Sequence, residues 1–200
     1  MAIINEGLQY RLLIDPFLDW VHSRAAEMIE PGVRVIDIAC GNGTLALKMA
    51  QHAGHVTGID LSEGSLQFAR NRARKLGLDN TEFLVQDAND LSAFSILPFD
   101  VATISMAIHQ FSPEAGPQIL QQLVKISRSV IVVDYACPQP RNFNGFIVRT
   151  IERIAGKEHF AHFNAYKRGG GMPGILDKLG FKASNEVFSN SGIFTIIKFG

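Results

Sequence analysis

The chain has 200 residues, which is long enough for one complete α/β domain and too short for two comfortable ones. Hydrophobic residues at 46% exclude extensive disorder, and the 19 Lys and Arg balance the 19 Asp and Glu, so no basic excess indicates a nucleic-acid partner. Two cysteines are too few for a disulfide framework, and no apolar stretch reaches membrane-spanning length, so we expect a cytoplasmic protein without a membrane span.

The first 30 residues show helical periodicity. Apolar residues recur at helical spacing from Leu8 to Ile29, and Asp15-Pro16 interrupts the pattern where a second helix is expected to begin. We expect residues 1–30 to form a helical cap over the sheet. Tyr10 and Arg11 lie within reach of a ligand there, although nothing in the sequence selects them.

A strand, a glycine turn and a helix follow. Val33 to Ile38 is a β-branched run typical of a strand buried on both faces, and it stops at Ala39-Cys40-Gly41-Asn42-Gly43. Helix formers follow to Ala50, so the turn exposes the unpaired N–H groups of a helix start. An ordinary strand-to-helix turn needs at most one glycine. The two glycines, with Asp37 just upstream, therefore predict a nucleotide-type site.

The chain then alternates between strands and helices. Helices are predicted from the N-cap Ser62 to Gly77 and over Pro113–Ile126, with Ser112 as a plausible cap. Strands are predicted at His55–Asp60, Thr81–Val85, Phe99–Ser105 and Ser129–Tyr135. This alternation predicts a parallel sheet with helices on both faces.

The pattern changes after Pro138. Asn142 to Gly171 predicts one or two helices with a loop through residues 168–171, and Pro173–Leu179 predicts another helix. Strands at Phe181–Phe188 and Ile193–Phe199 are separated by four residues only, Ser189-Asn190-Ser191-Gly192. A connection this short joins antiparallel neighbours. The expected fold is therefore α/β, with a seven-stranded, mostly parallel sheet and a C-terminal antiparallel hairpin.

In an open parallel sheet, ligands bind outside the carboxyl ends of the strands. Asp60 ends the second strand. Its separation from Gly43 along the sequence is the one at which a carboxylate accepts hydrogen bonds from the ribose hydroxyls of a nucleotide. The alternative is that Asp60 caps the next helix, but Ser62 already serves that purpose. We therefore favour the ribose role.

Two ligand classes fit the turn. Gly41-x-Gly43-x-x-Ala46 satisfies the dinucleotide fingerprint, so NAD is a candidate. Three features count against NAD. Asp37 would repel a pyrophosphate at the helix start, and Asp87 is placed to accept a hydrogen bond from an adenine amine. The closing hairpin is not part of the dinucleotide-binding pattern. These features favour a ligand with a positive centre and no phosphate.

The ordered motifs resemble the class I, Rossmann-like S-adenosylmethionine-dependent methyltransferases. The resemblance covers Val33 to Gly200, and it departs from the family where the usual first glycine is Ala39. It rests on Asp37-x-x-Cys40-Gly41-x-Gly43, Gly58-Ile59-Asp60-Leu61-Ser62, Gln86-Asp87-Ala88, Phe99-Asp100-Val101 and Leu179-Gly180-Phe181. It implies a single methyltransferase domain, divided into a cofactor-binding core (33–136), a helical acceptor-side insertion (138–180) and the closing hairpin (181–199).

The resemblance also implies the cofactor contacts, with S-adenosylmethionine as cofactor and S-adenosylhomocysteine as product. Asp60 would hold the ribose, Leu61 would lie on the adenine, and Asp37 would organise the turn through water. The other expected cofactor-binding residues are Ala39, Cys40, Gly41, Asn42 and Gly43 at the methionine part, Gln86, Asp87 and Ala88 at the adenine edge, and Ser105 and Met106 at the sulfonium.

On the acceptor side, His109 is the candidate general base, because it follows strand four on the loop that faces the expected acceptor. The alternative is a histidine that only packs or caps there. His159, Phe163 and Tyr166 share a helical face and, with Tyr135 and His109, are expected to line the acceptor pocket. No third ligand stands at a recognisable spacing from His159 and His162, so the sequence indicates no metal site.

These patterns favour methyl transfer to a small or medium organic molecule, by a monomer or homodimer. Resembling enzymes that methylate base amino groups carry Asn-Pro-Pro-Tyr or Asp-Pro-Pro-Tyr after strand four, whereas Ser105-Met106-Ala107-Ile108 stands here. That difference, with the zero net charge, disfavours a nucleic-acid acceptor. The alternatives are an NAD-dependent oxidoreductase and a non-catalytic S-adenosylmethionine-binding subunit.

Overall fold

The computed structural model describes residues 18–95 and 98–200. Residues 18–26 are helical and are called α1 here. The predictions for Leu8 to Phe17, including the break at Asp15-Pro16 and the candidates Tyr10 and Arg11, lie outside the described residues.

One sheet of seven strands forms the centre of the fold. Its strands are β1 (Arg34–Ile38), β2 (His55–Asp60), β3 (Thr81–Val85), β4 (Phe99–Ser105), β5 (Ser127–Tyr135), β6 (Ala183–Phe188) and β7 (Phe194–Phe199). The helices after α1 are α2 (Thr44–Met49), α3 (Glu63–Leu76), α4 (Ala115–Ile126), α5 (Phe143–Ile154), α6 (Lys157–Arg168) and α7 (Gly171–Leu179). Short 3₁₀ turns occur at Ser92–Phe94 and Ile108–Gln110.

The strand order is β3-β2-β1-β4-β5-β7-β6. Strands β1 to β5 are parallel, and β7 is antiparallel to both β5 and β6. The predicted α/β fold, with its mostly parallel sheet and closing hairpin, is confirmed. The hairpin joins the sheet through its second strand, so β7 lies between β5 and β6.

Most predicted elements match within two residues. Ser62 Oγ accepts the backbone N–H of Ser65, and Gly77 ends α3 in the left-handed conformation, as predicted. Helix α4 begins two residues later than predicted, and Ser112 Oγ accepts the N–H of Ala115. Strand β5 begins earlier, at Ser127.

The region after α6 differs from the prediction at two element starts, by two residues each. The expected loop through 168–171 is shorter, because Gly170 at φ 85° turns the chain and α7 already begins at Gly171. Strand β6 begins at Ala183 rather than Phe181, since the Phe181 N–H bonds to Leu176 O and completes the C-terminal cap of α7.

The core lies on both faces of the central strands. Residues of β1 and β5 such as Ile36, Ile38, Val130 and Val132 have no exposed surface, which matches the continuous apolar runs of these strands. Within 18–95 and 98–200, no helix is long and apolar enough to cross a lipid bilayer.

Candidate functional site

The carboxyl ends of β1 and β4 carry backbone strain. Ala39 after β1 has φ 51° and Met106 after β4 has φ 54°, and these are the two non-glycine residues with positive φ in the described ranges. Since β1 and β4 are neighbours, the two residues follow adjacent strand ends. Side chains rarely adopt this conformation, which costs energy and concentrates at binding and catalytic sites. This edge of the sheet is therefore the candidate site.

The two glycines of the turn have different surroundings. Gly41 and Gly43 both have positive φ, 53° and 74°. A Cβ on Gly43 would lie 2.9 Å from Ala69 Cβ and 3.1 Å from the Phe83 ring, whereas a Cβ on Gly41 would meet nothing within 4 Å. Gly43 is thus required for packing against α3 and β3. Gly41 leaves an open face on which a ligand can approach the backbone.

Asp60 joins the turn to the start of α3. Its Oδ2 accepts the N–H of Gly41 at 2.8 Å, and its Oδ1 accepts the N–H of Ser62 at 2.8 Å. Asp60 therefore also binds a backbone N–H at the start of α3, next to the Ser62 cap. This is the capping role that the sequence disfavoured for Asp60. A carboxylate has about four lone-pair sites, so two remain for hydroxyl donors of a ligand.

Asp37 lies buried beneath the turn. Its Oδ1 accepts the Thr103 hydroxyl at 2.6 Å, and its side chain is 1% exposed. Burial raises the pKa of Asp37 to about 7, although the bonds from Thr103 and the Ala46 backbone favour its ionised form. A cationic ligand nearby would favour that ionised form further, and a pyrophosphate would oppose it.

The residues after β2 and β3 form the second part of the site. Leu61 is 69% exposed, so its side chain is accessible beside the end of β2. Asp87 Oδ1 accepts two bonds from Asn89, and the Gln86 side chain donates to Asp90 O, so this loop holds its own shape. Ala88 is buried. In the turn after β1, where Cys40 and Asn42 are predicted to contact the methionine part, Cys40 N bonds to Ile59 O, and Asn42 Oδ1 accepts from Thr44 at the start of α2.

His22 is a residue that the sequence did not single out. It lies on α1, and its Nε2 is 2.8 Å from Ser105 Oγ at the end of β4. Burial and the nearby Lys48 lower the pKa of His22 to about 4, so its ring is neutral at neutral pH. Its Nδ1 has no hydrogen-bond partner among the described residues. A single histidine among apolar helix residues gave no sequence signal of this contact.

His109 lies in the Ile108–Gln110 turn and has no exposed surface. The sequence placed it on a loop facing the acceptor, whereas the structure encloses it. Its Nδ1 is 2.6 Å from Asp134 Oδ1, and its backbone N–H bonds to Asp134 Oδ2. Burial lowers the pKa of His109, but the charge and hydrogen bond of Asp134 and the charge of Glu152 outweigh it, so the pKa lies above its ordinary value.

The predicted acceptor-side residues form one cluster around His109. Its ring centroid lies 4.7 Å from that of Tyr135, 5.7 Å from His159, 6.1 Å from Phe163 and 6.3 Å from Tyr166. Tyr135 and Phe163 are fully buried, and His159 is partly exposed. His159, Phe163 and Tyr166 of α6 thus all lie near the His109 ring. His162 lies elsewhere, with Nδ1 2.7 Å from Gln110 O.

Glu152 of α5 completes this cluster, and the sequence did not predict it. Its Oε1 accepts the Tyr135 hydroxyl at 2.8 Å, and its Oε2 lies 2.5 Å from His159 Nε2 and 3.8 Å from His109 Nε2. Burial raises the pKa of Glu152. The hydrogen bond with His159 and the charge of His109 lower it by more than burial raises it, so the pKa lies below its ordinary value.

Comparison with protein families gives one match over most of the chain. Residues 29–164 match the family described as "Methyltransferase domain". A ubiquinone biosynthesis O-methyltransferase of Leptothrix cholodnii is 35% identical over 109 residues, which is 54% of this chain and 46% of that protein. A demethylmenaquinone methyltransferase of Clavibacter sepedonicus is 33% identical over 54% of this chain and 43% of that protein. The matched part thus spans somewhat less than half of these relatives.

Solved structures show the same fold. A magnesium protoporphyrin IX methyltransferase from Synechocystis, crystallised with bound S-adenosylhomocysteine, aligns with a TM-score of 0.63 at 20% identity. That alignment covers 100% of this chain and 87% of the other. A SAM-dependent methyltransferase from Aquifex aeolicus aligns over 85% of this chain with a TM-score of 0.59 at 18% identity.

Proposed function

The chain belongs to the methyltransferase domain family, and from that premise we propose that it transfers a methyl group from S-adenosylmethionine to a small or medium organic acceptor. S-adenosylhomocysteine is the product. The observation that carries the proposal is the turn between β1 and α2. Its Gly41 has an open face, its backbone is tied to the Asp60 carboxylate, and Asp37 lies buried below it.

This site fits a cationic sulfur nucleoside. A helix N-terminus alone would suit a phosphate, but the Asp60 carboxylate stands at this one and would repel a pyrophosphate, as would Asp37 in its ionised form. In the proposed complex Ala39 to Gly43 contact the methionine part, Asp60 accepts from the ribose hydroxyls through its remaining lone pairs, and Leu61 covers the adenine. Gln86, Asp87 and Ala88 bound the adenine edge, Ser105 and Met106 face the sulfonium, and Asp37 acts through water.

The chemistry asks mainly for positioning. In an in-line displacement the acceptor atom forms a bond to the methyl carbon as the carbon–sulfur bond breaks, and the sulfur leaves as a neutral thioether. Orientation can supply up to about 7 to 11 kcal/mol of the barrier reduction. A base is needed only where the acceptor loses a proton. We propose His109 for that role, and only its Nε2 can serve, because Nδ1 is held by Asp134.

The acceptor pocket is proposed to include Tyr135, His159, Phe163 and Tyr166 beside His109. His159 is the member of this group nearest to solvent, with 20% of its side chain exposed. An acceptor therefore approaches from the α6 side. The names of the two relatives above contain ubiquinone and demethylmenaquinone, and ring-bearing acceptors of that kind suit a pocket of aromatic side chains. We propose a cytoplasmic monomer or homodimer.

Calorimetric titration with S-adenosylmethionine, S-adenosylhomocysteine and NAD tests the proposal. We expect the first two to bind and NAD not to bind. Asp60→Ala should weaken binding about 10- to 100-fold, because hydrogen bonds to a charged group contribute about 1.5 to 3 kcal/mol. Asp79→Ala, which removes an exposed acid at the opposite end of β3, is the matched control and should bind normally.

Two results would count against the proposal. Binding of NAD without a response to the other two ligands would indicate the oxidoreductase alternative. Tight S-adenosylmethionine binding with no transfer to phenols, amines or carboxylates would indicate the non-catalytic subunit.

A further inference from the structure

The side chains of His109, Glu152 and His159 meet at one point. One ring nitrogen of His109, one of His159 and a carboxylate oxygen of Glu152 all lie within 4.8 Å of one another. Glu152 Oε2 lies 3.8 Å from His109 Nε2 and 2.5 Å from His159 Nε2. They come from the turn after β4, from α5 and from α6. His109 and Glu152 have no exposed side-chain surface, and His159 has 20%.

His109 Nε2 has no hydrogen-bond partner in this cluster. Its other ring nitrogen lies 2.6 Å from the Asp134 carboxylate, which can only accept when ionised, so Nδ1 carries a proton. If Nε2 is unprotonated, its lone pair faces Glu152 Oε2, another acceptor, at 3.8 Å. If it is protonated, 3.8 Å is too long for a hydrogen bond. Neither state satisfies this fully buried nitrogen, whereas a cation between the two atoms would.

We propose that His109, Glu152 and His159 bind one divalent transition-metal ion. Two imidazoles and one carboxylate suit Zn²⁺, Fe²⁺ or Mn²⁺, whereas Mg²⁺ and Ca²⁺ prefer all-oxygen ligands. Three protein ligands leave coordination positions open for water or for an oxygen of another molecule.

The surroundings of the three ligands support the site. Asp134 accepts from His109 Nδ1 and so directs Nε2 toward Glu152. The Tyr135 hydroxyl donates to Glu152 Oε1 and leaves Oε2 toward the two histidines. Metal-binding histidines and carboxylates are commonly oriented by such outer hydrogen bonds. These partners are themselves fully buried.

The site gives His109 a different role from that of a base. Nε2 cannot both bind a metal ion and accept a proton from the methyl acceptor. When the site is occupied, the metal ion would instead lower the pKa of an acceptor hydroxyl bound to it, so that no base is needed. The hydroxyl proton would leave to water. This consequence rests on the proposed methyl transfer, whereas metal binding itself does not.

The test is metal titration of tag-free, chelator-treated protein. We expect one Zn²⁺ per chain by calorimetry, no response to Mg²⁺, and visible absorption bands when Co²⁺ replaces Zn²⁺. His159→Ala and Glu152→Gln should each lower the Zn²⁺ affinity at least tenfold. His162→Ala is the matched control, because His162 lies on the same helix and bonds to Gln110 O outside the cluster. Its affinity should equal that of the unchanged protein.

Absence of Zn²⁺ binding would overturn the metal site. So would binding of equal affinity in the folded His159→Ala and Glu152→Gln variants, since the metal would then lie at other histidines. Where a variant fails to fold, the Co²⁺ spectrum of the unchanged protein decides, because sulfur-to-cobalt charge-transfer bands would place the ion at a cysteine and would also overturn the site. S-adenosylhomocysteine is titrated into the same samples. Its binding without Zn²⁺ binding would reject the metal while leaving the methyltransferase proposal standing.

Discussion

At the scale of single residues, Gly41 and Gly43 show how one backbone conformation serves two purposes. Both have positive φ, but only Gly43 is closely surrounded by other side chains. Replacement by alanine separates packing, at Gly43, from ligand approach, at Gly41. Both variants lose the same stability, about 1 to 2 kcal/mol, to conformational strain, so any further difference between them comes from the surroundings.

We expect Gly43→Ala to be the more destabilising change. Its added methyl group would lie 2.9 Å from Ala69 Cβ, and overpacking of this kind adds about 1 to 3 kcal/mol to the strain. Gly41→Ala should cost only the strain, yet it should abolish cofactor binding by filling the open face. Urea unfolding and calorimetry with S-adenosylhomocysteine measure the two effects. The reverse ranking of stability would contradict this account of the turn.

Asp37 should make stability depend on pH. Its pKa is about 7 in the folded protein and 3.8 when free, so between these values the folded state holds the proton that the unfolded state has released. The unfolding free energy contributed by this group therefore falls as pH rises from 4 to 7 and is level above. The full shift corresponds to about 4 kcal/mol.

Asp37→Asn removes this dependence. The stability of the unchanged protein relative to the variant should fall by a few kcal/mol between pH 4 and pH 8, as measured by urea unfolding at each pH. Thr103→Val removes a bond that favours the ionised form, so it should raise the folded-state pKa of Asp37 and extend the upper end of this pH range. Parallel stability curves for the protein and for Asp37→Asn would show that Asp37 does not titrate in this range.

At the scale of elements, α5 brings Glu152 to the cluster. The helix begins at Asn142, whose side chain accepts the N–H of Gly145. Asn142→Ala should lower the unfolding free energy by about 1 kcal/mol and Tm by about 2 to 4 °C. Asn142→Asp keeps an acceptor oxygen and should change Tm little. Thermal melting measures both Tm values. An equal decrease in Tm in the two variants would exclude the loss of the cap as the cause.

The same elements show why part of the site was predictable. The glycine turn, Asp60 and Asp87 were predictable because each lies at the end of a strand, or just after it, and these strands are rich in β-branched residues. The shared face of His159, Phe163 and Tyr166 follows from helical spacing within α6 alone. Glu152 stands between charged neighbours such as Arg149 and Arg153, so its pattern resembles an exposed helix face. Only the packing of α5 against α6 and the hydrogen bond from Tyr135 of β5 reveal that it is buried.

At the scale of the whole molecule, the fold was predictable because strand and helix alternate with clear boundaries. The contact of His22 with Ser105 was not, because it joins residues 83 positions apart across the sheet. Strand order was not predictable either. The short connection between the last two strands indicates a hairpin but does not say which of its strands meets the parallel core.

The placement of β7 between β5 and β6 has a consequence during synthesis on the ribosome. Strands β1 to β5 can pair as soon as they emerge, but β6 has no partner until β7, which follows it in the chain, has also emerged. Until then the outer edge of β5, with its apolar run from Val130 to Val133, has unpaired backbone groups. Such an edge invites pairing with other chains. A nascent chain paused before Phe194 thus exposes this edge to other chains.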